Sequence, residues 1–593
     1  MKNRSGLLLT IIIFLIISGF YSFRKPEDTT RAAINEDQRL ALFVPWFLSK
    51  YWEMHPVEAV YVGYHNNDSI PFVPDNDFFE SNAFTLKQLT DTLKVFREDR
   101  LSASGKTDLW MMRDRINSDL FYLNEFRDYE WNPAWYNIGG EFAEIINGSY
   151  APLDTRLRSA SSRLRSAPAY YEAAINNLKT PTIEHTDLAI LQNEGAISIF
   201  SKTFPDSINV SGLSKEEISV LNRRLDAAKL AIEQYVAKLK AMRTTMTPEN
   251  SRSFRIGRDL YYKKFGHDIC SGYDAGEIYT IAQKRKTEVQ AEMAKLSKTL
   301  WPKYFGSAPI PQDDNKTISQ VIDHISLNHT TPDSFQLSIE HQIPELIAFI
   351  NKKELLWIDP AKPLVIRKTP EYMEGSGAGA SISSPGPYDK NGNTYYNVSP
   401  LTGYTPEMAE SYLREYNRYM LQILSIHEAI PGHYTQLVYA NRSPSLIKSL
   451  FGNGAMIEGW AVYSERMMLE EGYGNNEPEM WLMYYKWHLR SVCNTILDYE
   501  VHVNSWDQEK AIKFLTSEAY QQQAEAEGKW RRVKLSQVQL CSYFTGFTEI
   551  YNLREDYKKS KGSAYSLKQF NEQFLSYGST PVRYIRELML QQK

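Results

Sequence analysis

The chain has 593 residues, 42% hydrophobic and 23% charged, an ordinary balance for a soluble globular protein with a large buried core. A net charge of -4 gives no electrostatic reason to expect nucleic acid as a partner. Cys270, Cys493 and Cys541 are odd in number and widely spaced, which excludes a cysteine zinc cluster and an evident disulfide framework.

Lys2 and Arg4 precede an apolar run from Leu7 to Phe20, followed by Arg24 and Lys25. That is the charge and length pattern of an export signal, so residues 1–24 read as a signal peptide or a retained N-terminal membrane anchor. No cysteine follows the apolar run, which removes a lipidated-cysteine anchor. The expected location is exported: periplasmic, cell-envelope or extracellular. Asn147 and Asn397 open Asn-x-Ser triplets, which matter only where the source glycosylates.

Residues 35–593 read as one large helical domain, with a helical N-terminal part over 35–250 and a part carrying the functional site over 251–593. Ala41–Trp52 and Leu109–Phe126 show helical spacing of apolar residues, and Ser214–Met242 is a long amphipathic pattern whose Ser-Lys-Glu-Glu start resembles a capping box. Arg258–Leu300 reads as a second long helical stretch, with Glu288, Glu292 and several lysines on a solvated face. Between Pro363 and Pro400 the texture changes. Leu364–Arg367, Ala380–Ser383 and Thr394–Val398 are short β-prone runs separated by Gly and Pro, predicting a small sheet just before the site helix. An edge of that sheet is a candidate ledge for an extended peptide, and a purely structural hairpin is the competing reading.

Thr405, Pro406 and Glu407 are helix-start signals, and the pattern through Met408, Tyr412, Tyr416, Met420 and Leu424 predicts one helix delivering His427 from a buried stripe. His427-Glu428-Ala429-Ile430-Pro431-Gly432-His433 then offers two imidazoles and a carboxylate, the usual donors and general base of a catalytic zinc site. In the common HExxH pattern the histidines are four apart and about 40° from each other around the helix. Here they are six apart, and a regular helix would place them about 120° apart, out of reach of one ion. Pro431 has no N–H to give and Gly432 tolerates unusual backbone angles, so the helix should break and return His433 to the metal side. The alternative is that His427 ends a core helix and His433 is an unrelated loop histidine.

A third ligand is required. The next helix, predicted over Ala455–Glu471 with Gly472 as C-cap, carries Glu458 and Glu465 seven residues apart on one face, in an apolar setting where a carboxylate is costly unless paired or bound to metal. Glu458 is the candidate ligand, with Gly459 allowing close helix approach, and Glu465 the candidate partner of a histidine N–H or an arginine. Met480–Val503 reads as a long helix in which Asp498 and His502 stand at i and i+4 and can pair. Tyr543 and Arg554, on a later helix, are candidates for stabilising an oxyanion.

On these residues the chain resembles the bacterial family called domain of unknown function 885. Its HExxPGHxxQ, EGWAxYxE, DxxxH and PGQAxxYxxG marks correspond to His427–Gln436, Glu458–Glu465, Asp498–His502 and Gln537–Gly546. The last departs, with Gln537-Val538 where the family has Pro-Gly. The resemblance implies a mainly α, zincin-like metallopeptidase fold with a small β-sheet beside the active-site helix. It also implies one Zn2+ per chain on His427, His433 and Glu458, Glu428 as base, and Gln436 and Gln539 as residues around the ligands or the substrate. The function expected is an exported zinc metallopeptidase cleaving oligopeptides. Its rivals are a zinc hydrolase of other amides or esters, a non-catalytic envelope protein binding peptide or glycan, and a helical scaffold without metal.

Overall fold

The computed structural model describes residues 34–369, 380–389, 393–401 and 403–590. The expected export segment lies outside the described residues. The fold is mainly α. Asn35 and Ser214 each cap their helix with a complete capping box, over Glu36–Met54 and Lys215–Arg243, so the polar start signals act as expected. Leu109–Phe126 ends in a wide helical turn, Tyr122–Phe126.

Arg258–Leu300 is not one helix. Gly257–Asp268 ends at Ile269, Cys270 takes a φ of 52°, and Asp274 starts a new capped helix, Ala275–Phe305. The Asp274-x-x-Glu277 box competes with continuation of the first helix, and wins because it satisfies two backbone donors at once.

Among the described residues three strands, β1 (Val365–Lys368), β2 (Ala380–Ser383) and β3 (Tyr395–Val398), form one sheet in the order β1-β3-β2. β1 pairs parallel to β3, and β2 pairs antiparallel to it. β3 is therefore central and buried, and Asn397 in it is wholly enclosed, which rules it out as a glycan acceptor in the folded chain. β2 packs against the helix Arg418–Glu428. Its other edge carries no strand among the described residues.

The main core gathers the C-terminal helices around the site helix. A second core fills the N-terminal part, and a third joins the helix Glu36–Met54 to Ile447, Leu450, Phe451 and Tyr584 of the C-terminal part. All three cysteines are buried and unpaired. Among the described residues no helix is long and apolar enough to cross a membrane.

Candidate metal centre

The approach to His427 is made by two helices rather than one. Thr405 caps Pro406–Glu415 as expected, but the chain breaks at Tyr416, and the buried Asn417 side chain accepts the Tyr419 and Met420 N–H groups to start Arg418–Glu428 afresh. Asn is among the strongest N-caps, and here it overrides the apolar period running past it. The second helix buries Met420, Leu421, Ile423, Leu424 and Ile426, so His427 leaves a fixed base.

The expected break between the histidines is present. The helix ends at Glu428, and a new one, His433–Asn441, begins at the second histidine. The intervening turn folds back on its own helix: Gly432 N–H donates to Ile426 O at 2.9 Å and Ile430 N–H to Ser425 O at 3.2 Å. A Cβ at Gly432 would stand 1.8 Å from His427 O, so only glycine fits. Trp460 Nε1 holds the Pro431 carbonyl at 2.8 Å from the opposite side. The imidazoles come within 4.8 Å, centroid to centroid, and cross at 87°.

Glu458 arrives from the helix Gly454–Glu470, capped by Asn453. That helix lies against Ser542–Lys561 at Gly459 and Gly546, where an added Cβ would meet the opposing backbone at 2.3 and 1.7 Å. Glu458 Oε2 stands 3.3 Å from His433 Nε2 and 3.8 Å from His427 Nε2. Ligand atoms of His427, Glu428 and His433 also lie within 4.8 Å of one another, so two carboxylates compete for the third position. The shorter separations favour Glu458, because donors about 2.0–2.1 Å from one tetrahedral ion are spaced about 3.3 Å apart. Glu458 Oε2 is moreover buried, with only the two imidazole nitrogens facing it, a setting whose cost a shared cation would lower. The donor set of two nitrogens and one carboxylate oxygen fits a zinc-type ion with a position left open.

The electrostatics agree with these roles. Burial, aided by His433, pushes the His427 imidazolium down to about 3, leaving the ring neutral as a ligand must be. Burial pushes the Glu428 carboxyl up to about 7, the range in which a general base works best. At His433 burial pulls down, but Glu458 and Glu428 outweigh it and the imidazole is raised. At Glu458 burial pushes up and His433 outweighs it, so the carboxyl is lowered.

Of the other sequence candidates, Glu465 is brought in directly. It is fully buried, with Oε1 2.6 Å from His427 Nδ1 and accepting from Trp487 Nε1 at 2.9 Å. It thereby fixes Nδ1 of His427 as the hydrogen-bonding nitrogen and turns Nε2 toward Glu458. Gln436 is buried one turn beyond His433 and donates to Ser579 Oγ at 2.8 Å, bracing the second helix and not touching the cluster. Tyr543 lies beside His427, their rings 6.5 Å apart and near parallel. Gln539 Oε1 accepts from Arg532, which also donates to Tyr543 Oη at 3.0 Å.

Arg554 is not brought to the cluster. It sits eleven residues past Tyr543 on the same helix, about 16 Å along the axis, and is engaged by Glu470 at 2.7 Å and by the Tyr551 ring. Nor do Asp498 and His502 pair. Asp498 accepts the Val538 and Leu540 N–H groups at 3.0 and 3.2 Å, and His502 Nε2 faces Val533 O at 2.8 Å. Asp498 thus holds the turn where the family pattern has Pro-Gly. Val538 there adopts a φ of 71°, a region glycine enters freely and a β-branched residue does not.

Four residues near the cluster went unread in the sequence. Trp487, Arg490 and Arg532 carry no local signal, since only the fold converges their helices. Tyr396 could have been found from the β-prone run: it is buried on β3 close enough to Glu428 for that charge to raise its hydroxyl, after burial itself. A cavity of about 750 Å³ lies apart from the cluster, between the N-terminal helices and residues 451–453.

The family profile described as bacterial protein of unknown function (DUF885) matches residues 56–589. The chain belongs to that family. A solved structure from Shewanella oneidensis, described as "a putative lipoprotein of unknown function", is 52% identical, with a TM-score of 0.85 over 93% of this chain and 99% of that one. A second, described as "the putative lipoprotein from Colwellia psychrerythraea", shares the fold at 16% identity, with a TM-score of 0.74 over 94% of this chain and 99% of that one. None of the curated proteins matches.

Proposed function

We propose that this protein is a zinc-dependent peptidase of the bacterial cell envelope, acting on oligopeptides. The observation that carries the reading is the meeting of His427, His433 and Glu458, one buried carboxylate oxygen facing both imidazoles, with Glu428 beside them and in no ion pair among the described residues. A site that only held a structural ion would fill its positions with protein ligands and have no use for that second carboxylate.

Zinc, when bound, supplies Lewis acidity toward a carbonyl and makes water a nucleophile near neutral pH. The chain's own residues do the rest. Glu428, with its carboxyl near 7, takes the proton from the attacking water and returns it to the departing amine. Tyr543, its hydroxyl already hydrogen-bonded by Arg532, is the group placed to donate to the developing oxyanion. The open edge of β2, against the site helix, is the ledge for an extended peptide backbone. Envelope location rests on the basic-apolar leader and on the descriptions of the two structural relatives.

The test is a pair of measurements on purified protein. Glu428→Gln should keep about one zinc per chain and lose at least about a thousandfold in peptide turnover, while His433→Ala should lose the zinc. Turnover by Glu428→Gln at the wild-type rate, or wild-type protein that takes up no zinc, refutes the proposal.

A further inference from the structure

Next to the cluster lies a group of cations with too few anions. The helix Gln523–Leu535 presents Glu525, Lys529 and Arg532 along one face, at i, i+4 and i+7, toward Arg490 on the helix Pro478–His502. Among the described residues Glu525 is the one carboxylate in ion-pair reach of the group, 2.6 Å from Arg490 and 4.0 Å from Lys529, while Glu458 and Glu415 act on Arg532 and Arg490 from farther off. Lys486 nearby is already neutralised by Glu415 at 2.7 Å. Arg532 spends its hydrogen bonds on the neutral Gln539 and Tyr543.

Two of the three cations keep unmet demands. Lys529 is 4% exposed and among the described residues makes no hydrogen bond, only the 4.0 Å approach to Glu525. Arg490 Nη1 is buried without a partner. Burial, then Arg490, holds the Lys529 amine well below its usual range, so an anion beside it would favour its charged form. A buried amine without a hydrogen bond and a guanidinium with an unmet Nη1 are both satisfied by an anion placed between them.

The group is also placed for one end of a substrate. His427 is flanked by Trp487 at 6.2 Å and Tyr543 at 6.5 Å; Arg490 sits 5.0 Å over the first ring and Arg532 5.8 Å over the second. Both guanidiniums therefore stand one aromatic ring from a metal ligand. The steps of 6.2 and 5.0 Å bound the His427–Arg490 separation at about 11 Å, and an extended peptide covers about 3.3–3.6 Å per residue.

Resting on the peptidase reading above, we infer that Arg490, Lys529 and Arg532 form a subsite for the C-terminal carboxylate of the substrate, so that the enzyme trims peptides from that end by no more than about three residues. The hydrolysis adds hydroxyl to the acyl carbon and a proton to the amine of the released fragment. That fragment keeps its own carboxylate on the three cations. Arginine suits the task by its paired donors, and Lys529 adds a point charge.

The test measures binding first, so that it does not depend on turnover. Glu428→Gln protein is titrated calorimetrically with one oligopeptide as the free acid, as the C-terminal amide, and as an amide ending in glutamate. The free acid should bind about tenfold to a hundredfold more tightly than either amide. Placing Lys529→Gln, or separately Arg490→Gln, in the same protein should bring that ratio toward one. Equal affinity for acid and amide, equal affinity for the glutamate-ended amide, or a ratio unchanged in both variants overturns the assignment. Wild-type protein that binds the acid selectively but cuts none of the three peptides would refute the peptidase reading and leave the carboxylate site standing.

Discussion

Gly459→Ala tests the claim that helix spacing sets the position of the third ligand. A Cβ there would lie 2.3 Å from Gly546 C, 2.4 Å from Gly546 Cα and 2.7 Å from Phe547 N. All three are backbone atoms and cannot rotate away. Carbon atoms settle about 3.5–4.0 Å apart, so the two helices must part by about 1.2–1.7 Å. Overpacking of this kind costs about 1–3 kcal/mol, a lowering of melting temperature by a few degrees in a chain this long. Glu458 rides on the same turn and moves with it, whereas metal–ligand distances tolerate about 0.2 Å. The expected result is a folded protein whose zinc affinity falls by at least about a hundredfold. The assay is competition with a chelator of known affinity, run beside a thermal melt. Wild-type zinc affinity in a variant that melts a few degrees lower would refute the link between spacing and ligand position.

Glu465→Gln keeps shape but replaces the carboxyl facing His427 Nδ1 with an amide, and should weaken zinc binding about tenfold to a hundredfold with little change in fold, read by the same competition. Val538→Gly relieves the positive φ of a β-branched residue but empties a fully buried site in the main core, and the lost packing outweighs the relief, so stability should fall by about 1–3 kcal/mol in denaturant unfolding; a gain of stability would mean that strain at the turn outweighs packing. Burial raises the Asp498 carboxyl from an unfolded value near 3.8 to about 7, so between these values the folded chain holds a proton that the unfolded chain has released. Its contribution is full below about 4 and is lost as the pH rises through about 7. The difference in melting temperature between wild type and Asp498→Asn should change across that window, and a constant difference would count against the raised value.

Much of the site was legible because its chemistry is local. The six-residue spacing of His427 and His433 demanded a break, and Pro431-Gly432 supplied one. The carboxylates Glu458 and Glu465 stood out because they punctuate an apolar helix. The β-runs were found to within a residue, since Gly and Pro bound them on both sides. What escaped was of two kinds. Asn417 and Asp274 are single caps that end a helical period without disturbing it, so the pattern reads through them. Arg490 and Arg532 matter only because two helices distant in sequence converge, and no spacing announces that. Arg554 is a different failure: eleven helical residues from Tyr543 is about 16 Å by arithmetic alone, too far for both to serve one carbonyl.

The turn at Val538 bears on how members of the family drift apart. In this chain Gln537-Val538 replaces Pro-Gly, yet the backbone course is kept, because a carboxylate forty residues earlier clamps the Val538 and Leu540 N–H groups. Where a distant side chain enforces a bend, the residues inside the bend are freed to vary. A search for remote relatives keyed to the Pro-Gly pair would then discard proteins that retain the whole apparatus. What holds the bend in this chain, just ahead of the helix Ser542–Lys561 that carries Tyr543, is Asp498.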